Sequence, residues 1–163
     1  MAVPVDGGEP IDLVAGAGKE SAGVVSNDNK WQAFDSWATG VPEVYVTPFT
    51  PGWEAERAAG RPVPDSSERS RISIAGGAQP VWGSTGHTLF YASSSNSVIG
   101  VRWSTDGTRF THDAGQPYFD FPQEAGASFD VLPTDESFVV NTTLFPRDVK
   151  LCLVLNWTAL LEP

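Results

Sequence analysis

The sequence predicts an all-β protein, and three observations support this fold class. The 163 residues include 16 Gly and 13 Pro, and these turn-forming residues are spread along the whole chain. The runs between them are short, rich in Val, Phe, Tyr, Trp and Thr, and alternate apolar with polar residues, as half-buried strands do. Helical patterns are confined to two short segments, residues 54–59 and 158–161.

A repeat of up to four strands organises the chain. A polar turn followed by an alternating strand occurs three times, as SNDNKWQAFDSW (26–37), GSTGHTLFYASS (83–94) and PTDESFVVNTTL (133–144). Each turn is preceded by a short predicted strand, at residues 21–25, 78–82 and 127–131. Each alternating strand is followed by a third, at residues 42–49, 97–103 and 149–157. A fourth completes two of the three units, at residues 69–75 and 108–114.

Four-stranded antiparallel meanders of roughly 45 to 55 residues are typical of the blades of a β-propeller. Residues 1–163 are therefore interpreted as one half-propeller segment of about three blades. Its parts are a blade over 20–76 with an insertion at 53–67, a blade over 77–119, an incomplete blade over 127–161, and strands in 1–18 that complete the last blade of this chain or of a partner.

A homodimer follows from this count of blades. Closed propellers usually have about four to eight blades, so three do not readily close alone. Two copies related by a twofold axis would supply six, and each N-terminus would complete the partner's last blade. The expected partners are thus a second copy of the chain, together with a protein or small-molecule ligand.

The repeat resembles that of bacterial TolB-like, WD-repeat-like β-propellers, which are often fused to serine/threonine kinases. The resemblance rests on VPVDGGEPIDLV (3–14), the segment 24–52, GGAQPVWGSTGHTLFYASS (76–94) and LVLNWTALL (153–161). It implies the C-terminal half of a bacterial propeller that serves as a scaffold for binding or signalling. The family's usual Ser-Pro-Asp-Gly turn is replaced here by SNDN, GSTG and PTDE, and no kinase domain is present from which kinase activity could be carried over.

The charge of the chain bears on its partners. Twenty acidic and ten basic residues give a net charge of -10, which repels phosphate backbones and anionic membranes. Neither a nucleic acid nor a membrane is therefore an expected partner. The chain as written has no signal-peptide pattern and no apolar run of about 20 residues, so the expected location is the cytoplasm. The single Cys152 is interpreted as a small buried apolar residue of a strand.

Candidate ligand-binding residues follow from blade geometry, because the first strand of each blade lines the central channel and the loops between second and third strands open on one face. Asp35 is the most unusual of them, since it takes a position that the resembled family fills with an aliphatic residue. A buried carboxylate must be hydrogen-bonded, metal-bound or raised in pKa, so a satisfied structural role competes with a functional one. The candidates are Glu20, Ser21, Asp35, Trp37, Gln79, Ser128 and Asp130.

Three functions remain open at this point. The leading interpretation is a non-catalytic binding module that engages a protein or small ligand at the channel face. The first alternative is a metal-dependent hydrolase of esters or phosphoesters, with Asp35 and Asp130 as catalytic candidates. In that alternative the cofactor is a divalent metal ion, and His87 and His112 are the candidates for holding it. The second alternative is a structural half-propeller without activity of its own.

Overall fold

The computed structural model describes residues 19–49, 69–85, 87–121, 128–134 and 137–141, together with Val3 and Gly7. These residues form eleven strands and no helix, and all strand pairs are antiparallel, which confirms the all-β prediction. The described part of the chain contains no helical segment that could cross a membrane. The predicted helical segments 54–59 and 158–161, the insertion 53–67 and Cys152 lie outside the described residues.

The first sheet is a meander of four strands in sequence order. Its strands are β1 (Glu20–Val25), β2 (Trp31–Ser36), β3 (Glu43–Pro48) and β4 (Ser70–Arg71). The SNDN turn closes β1 onto β2. In this turn the Asp28 carboxylate accepts hydrogen bonds from the Ser26 hydroxyl (2.5 Å) and the Lys30 amide (3.2 Å), and Asn29 adopts a positive φ of 56°. Asx-type side chains stabilise such turns without the usual Pro-Asp-Gly sequence.

The second sheet has five strands, because two short strands share the outer edge of a long one. The strands are β5 (Gly77–Trp82), β6 (Thr88–Ser93), β7 (Ser97–Thr105), β8 (Phe110–His112) and β9 (Gln116–Asp120). β8 pairs with the C-terminal part of β7, and β9 pairs with its N-terminal part. The third sheet is a hairpin of β10 (Ser128–Val131) and β11 (Phe138–Asn141).

The second sheet packs on both faces, and alternation along its strands supplies apolar side chains to each. Towards the first sheet it contributes, among others, Leu89, Tyr91 and Val101, which join a core cluster with Trp31, Ala33, Val44, Val46 and Ile72. Towards the third sheet it contributes chiefly Phe90 and Val98, which pack with Phe121, Phe129 and Val131. The three sheets are therefore stacked in chain order, and most of the buried apolar surface lies between them.

A β-bulge recurs in the first strand of the first two sheets. Between their paired residues, β1 and β5 each place two residues opposite one residue of the next strand, which is Phe34 or Tyr91 respectively. The first bulge residue has a positive φ in both cases, 51° at Ala22 and 54° at Gln79. A bulge turns the local backbone out of the ladder, so the amide of Gln79 is free to bond outside its own sheet.

Candidate functional site

Asp35 bridges the first sheet to the second. Its side chain is only 3% exposed and lies on β2, on the same face as Trp31 and Ala33. One carboxylate oxygen accepts a hydrogen bond from the Ser21 hydroxyl (2.6 Å), and the other accepts one from the backbone amide of Gln79 (3.3 Å). Hydrogen bonds to both oxygens compensate the carboxylate for its lost hydration, which is the satisfied structural role that the sequence left open.

The other predicted channel residues are distributed over two places. Ser21, Asp35 and Gln79 form one hydrogen-bonded cluster, and Glu20 lies next to it on β1, where its carboxylate is 3.7 Å from the Arg69 guanidinium. Ser128 and Asp130 lie on β10. The exposed carboxylate of Asp130 accepts a hydrogen bond from the amide of Val131 (2.8 Å). Within the described ranges, no hydrogen bond joins these β10 residues to Asp35.

The two candidate metal residues lie near one tryptophan. The His87 ring stacks on the Trp103 ring with centroids 4.7 Å apart, and His112 is paired with Trp103 across β7 and β8. The His112 Nδ1 atom lies 3.0 Å from the carbonyl oxygen of Asp113. Across the described segments, no three His, Cys, Asp or Glu side chains are grouped so that they could hold a metal ion. A metal-dependent hydrolase stays a prediction from the sequence.

Glu43 is a buried charged residue that the sequence interpretation missed. Its side chain is 1% exposed and accepts hydrogen bonds from the Arg71 guanidinium (2.6 Å), the Ser73 hydroxyl and the Gly76 amide (3.3 Å). Burial alone raises the pKa of the Glu43 carboxyl. The hydrogen bonds from Ser73, Arg71 and Gly76 outweigh burial and hold the pKa below its ordinary value. Burial and the neighbouring Glu43 charge in turn raise the pKa of Tyr91.

The Glu43 cluster fixes the connection between β4 and β5. Arg71 also donates to the carbonyl oxygens of Ser73 (2.9 Å, through Nε) and Ile74 (3.5 Å), so one guanidinium links the carboxylate to the backbone of this connection. At the end of this connection, the amide of Gly77, the first residue of β5, donates to the Pro42 carbonyl (2.8 Å) and so ties the start of β5 to the loop between β2 and β3. The two loops thus form one braced end of the first sheet.

Large apolar side chains are exposed at this braced end. Trp37 is 47% exposed directly after β2, Val41 is exposed in the same loop, and Ile74 in the β4–β5 connection is 82% exposed. We call Trp37, Val41 and Ile74 the loop face. Of these three residues the sequence predicted only Trp37 as a site residue. The alternation of apolar and polar residues predicts which side chains are exposed within a strand, but it makes no such prediction for loop residues.

No protein-family model matches the chain, and comparison with curated proteins finds no significant similarity. The resemblance to TolB-like propellers therefore rests on the pattern of the sequence repeat.

Proposed function

We propose that the chain is a non-catalytic binding module that engages a protein partner through the loop face. The observation that carries this proposal is the exposure of Trp37, Val41 and Ile74 on two loops that are tied to each other. Large apolar side chains exposed on neighbouring, hydrogen-bonded loops are candidates for an interaction surface. Tryptophan is also among the residues most enriched at binding hot spots.

The loops that carry this face are held by backbone hydrogen bonds. The Trp37 amide donates to the Lys19 carbonyl (3.0 Å), and the Gly40 amide donates to the Trp37 carbonyl (3.0 Å). Gly40 has a φ of 87°, a left-handed conformation that glycine adopts without strain. A surface held in one conformation before binding loses little conformational entropy when a partner docks, which favours affinity.

A photo-crosslinking residue placed at Ile74 tests the proposal in cells that express the protein. We expect a discrete adduct with a second protein, because this side chain is the most exposed of the loop face. Adding Trp37→Ala should reduce the adduct by roughly tenfold or more, as loss of a hot-spot tryptophan does. Position 139 on β11 is the matched control, since Val139 is also an exposed aliphatic residue but lies on the third sheet. Equal adducts at both positions, none at 74, or an adduct of two copies of this chain would contradict the proposal.

We also propose that the three sheets are successive blades of a TolB-like propeller, completed as a six-bladed ring by a second copy. Two observations support this: the sheets stack face to face in chain order, and the bulges at Ala22 and Gln79 recur at equivalent positions of successive sheets. Light scattering on the purified chain should give twice the mass of one chain. A folded monomer at micromolar concentration would overturn the dimer and leave the loop-face proposal untouched.

A further inference from the structure

A pocket of about 600 Å³ lies on the second sheet, on the face that points away from the first sheet. Its floor comes from β6 and β7, where Thr88 is paired with Arg102 and Phe90 with Gly100. One wall is the segment from Asp113 to Gln116, and Tyr118 of β9 forms another. None of these residues belongs to the loop face, so the pocket is a separate feature of the chain.

Gly100 positions an aromatic surface in this pocket. A Cβ atom at residue 100 would lie 2.4 Å from Cε2 of Tyr118, so the tyrosine ring occupies space that only glycine leaves open. The ring packs edge-to-face on Phe90, with centroids 5.1 Å apart, yet Tyr118 remains 51% exposed. An aromatic ring that packs against the sheet on one side and is exposed to solvent on the other offers an apolar ligand group a stacking partner.

Two opposite charges line the same pocket without neutralising each other. The backbone amide of Asp113 donates to the carbonyl of Arg102 (2.9 Å), which fixes the two residues side by side. Both side chains are exposed, and within the described part of the chain neither takes part in an ion pair. An arginine fork suits a carboxylate, and an aspartate suits an ammonium group.

We propose that this pocket binds a free aromatic α-amino acid. Its carboxylate would face Arg102, its ammonium group would face Asp113, and its ring would lie on Tyr118. A zwitterion also fits the charge of the whole molecule, because a net charge of -10 repels a simple anion but not a ligand without net charge. The Gln116 amide and the Thr88 hydroxyl, which also line the pocket, supply further hydrogen-bonding groups.

Titration of the isotope-labelled protein with L-phenylalanine, followed by amide NMR shifts, tests the proposal. We expect shifts at Gly100, Arg102 and Tyr118, with a Kd on the order of 1 mM for a ligand this small. Phenylacetate lacks the ammonium group and phenethylamine lacks the carboxylate, so each should bind roughly tenfold more weakly. The proposal fails if L-phenylalanine shifts none of these amides, if phenylacetate binds equally well, or if glucose shifts the same amides more strongly.

Three substitutions and one control locate the binding at the pocket. Gly100→Ala keeps both charges but displaces the Tyr118 ring, so L-phenylalanine affinity should fall by roughly fivefold or more. Tyr118→Ala removes the same aromatic ring, and it replaces Gly100→Ala in this test if Gly100→Ala does not fold. Arg102→Gln should weaken binding by roughly tenfold. Arg109→Gln changes another exposed arginine, in the β7–β8 turn; it is the control and should bind as the parent does. Unchanged affinity in Arg102→Gln and Tyr118→Ala would overturn the proposal.

Discussion

The Glu43→Gln variant is expected to lose about 2 kcal/mol of unfolding free energy at pH 7, because a buried acceptor of three hydrogen bonds is weakened while its ion-pair partner Arg71 stays partly solvated. The Glu43 carboxylate accepts hydrogen bonds from Arg71, Ser73 and the Gly76 amide in a site almost without solvent exposure. A glutamine offers one acceptor oxygen in place of two, so at least one buried donor loses its partner. Urea denaturation followed by tryptophan fluorescence measures the difference.

The same variant should also change how stability depends on pH. Because the folded pKa of Glu43 lies below its ordinary value of 4.5, the unfolded chain binds more protons in that window. The stabilisation is therefore complete above about pH 5 and is lost as pH falls through the folded pKa. The parent and Glu43→Gln should converge in stability on acidification. The matched control is Asp130→Asn, which keeps an acceptor oxygen for the Val131 amide and should change stability by less than about 0.5 kcal/mol. A constant gap between parent and Glu43→Gln from pH 7 to pH 3 would contradict this account.

Replacing Asp35 by Ala should cost about 2 kcal/mol, because the Gln79 amide and the Ser21 hydroxyl both lose their acceptor. Asp35→Asn keeps a carbonyl oxygen for the Gln79 amide, and its amide group can donate to the Ser21 hydroxyl. Its cost should therefore stay below about 1 kcal/mol. Asn matches Asp in volume, so Asp35→Asn isolates the loss of the charge, whereas Asp35→Ala removes the hydrogen bonds and some buried packing together. Chemical denaturation of the parent and both variants at pH 7 measures the loss of unfolding free energy.

Two outcomes of the Asp35 comparison would change the interpretation. If Asp35→Ala is as stable as the parent, the bridge between the first and second sheets contributes nothing measurable. If Asp35→Asn folds normally but abolishes turnover of an activated ester by the parent protein, Asp35 acts as a catalytic group, and the hydrolase alternative displaces the binding module.

The strands were predictable because their signal is local. The alternation of Leu89, Phe90 and Tyr91 sends neighbouring side chains to opposite faces of β6, and the structure buries them in two different core clusters accordingly. The degenerate turn SNDN was also readable, since Asn and Asp supply the side-chain acceptors that such turns need. The described strands of the first two sheets begin and end within a few residues of the predicted runs, with β9 as the exception.

The sequence did not predict β9, for two reasons. It contains Pro117, and the repeat predicts a single fourth strand for the second unit, which β8 already provides. Proline is tolerated at the edge of a sheet, where its missing N–H removes no ladder bond. β8 pairs only with residues 103–105 of β7, so the edge of β7 at residues 97–100 is left open for β9.

The candidate site was only partly predictable, because its contacts join distant parts of the chain. The acidic position of Asp35 in an apolar pattern was a usable signal, but its bond to the amide of Gln79 spans 44 residues and depends on a bulge. Glu43 gave no signal of burial, since a glutamate at the start of a strand is ordinarily solvated. Its partner Arg71 lies on a two-residue strand whose pairing is set by tertiary packing.

The shared outer edge of β7 also bears on resistance to aggregation. An uncovered strand edge is a template on which another chain can add. Here β9 covers residues 97–100, the Asp113 amide bonds to Arg102, and β8 covers residues 103–105. The outermost edge of this sheet therefore consists of two short strands instead of one long strand, and very short edge strands are poor templates for a continuous intermolecular ladder.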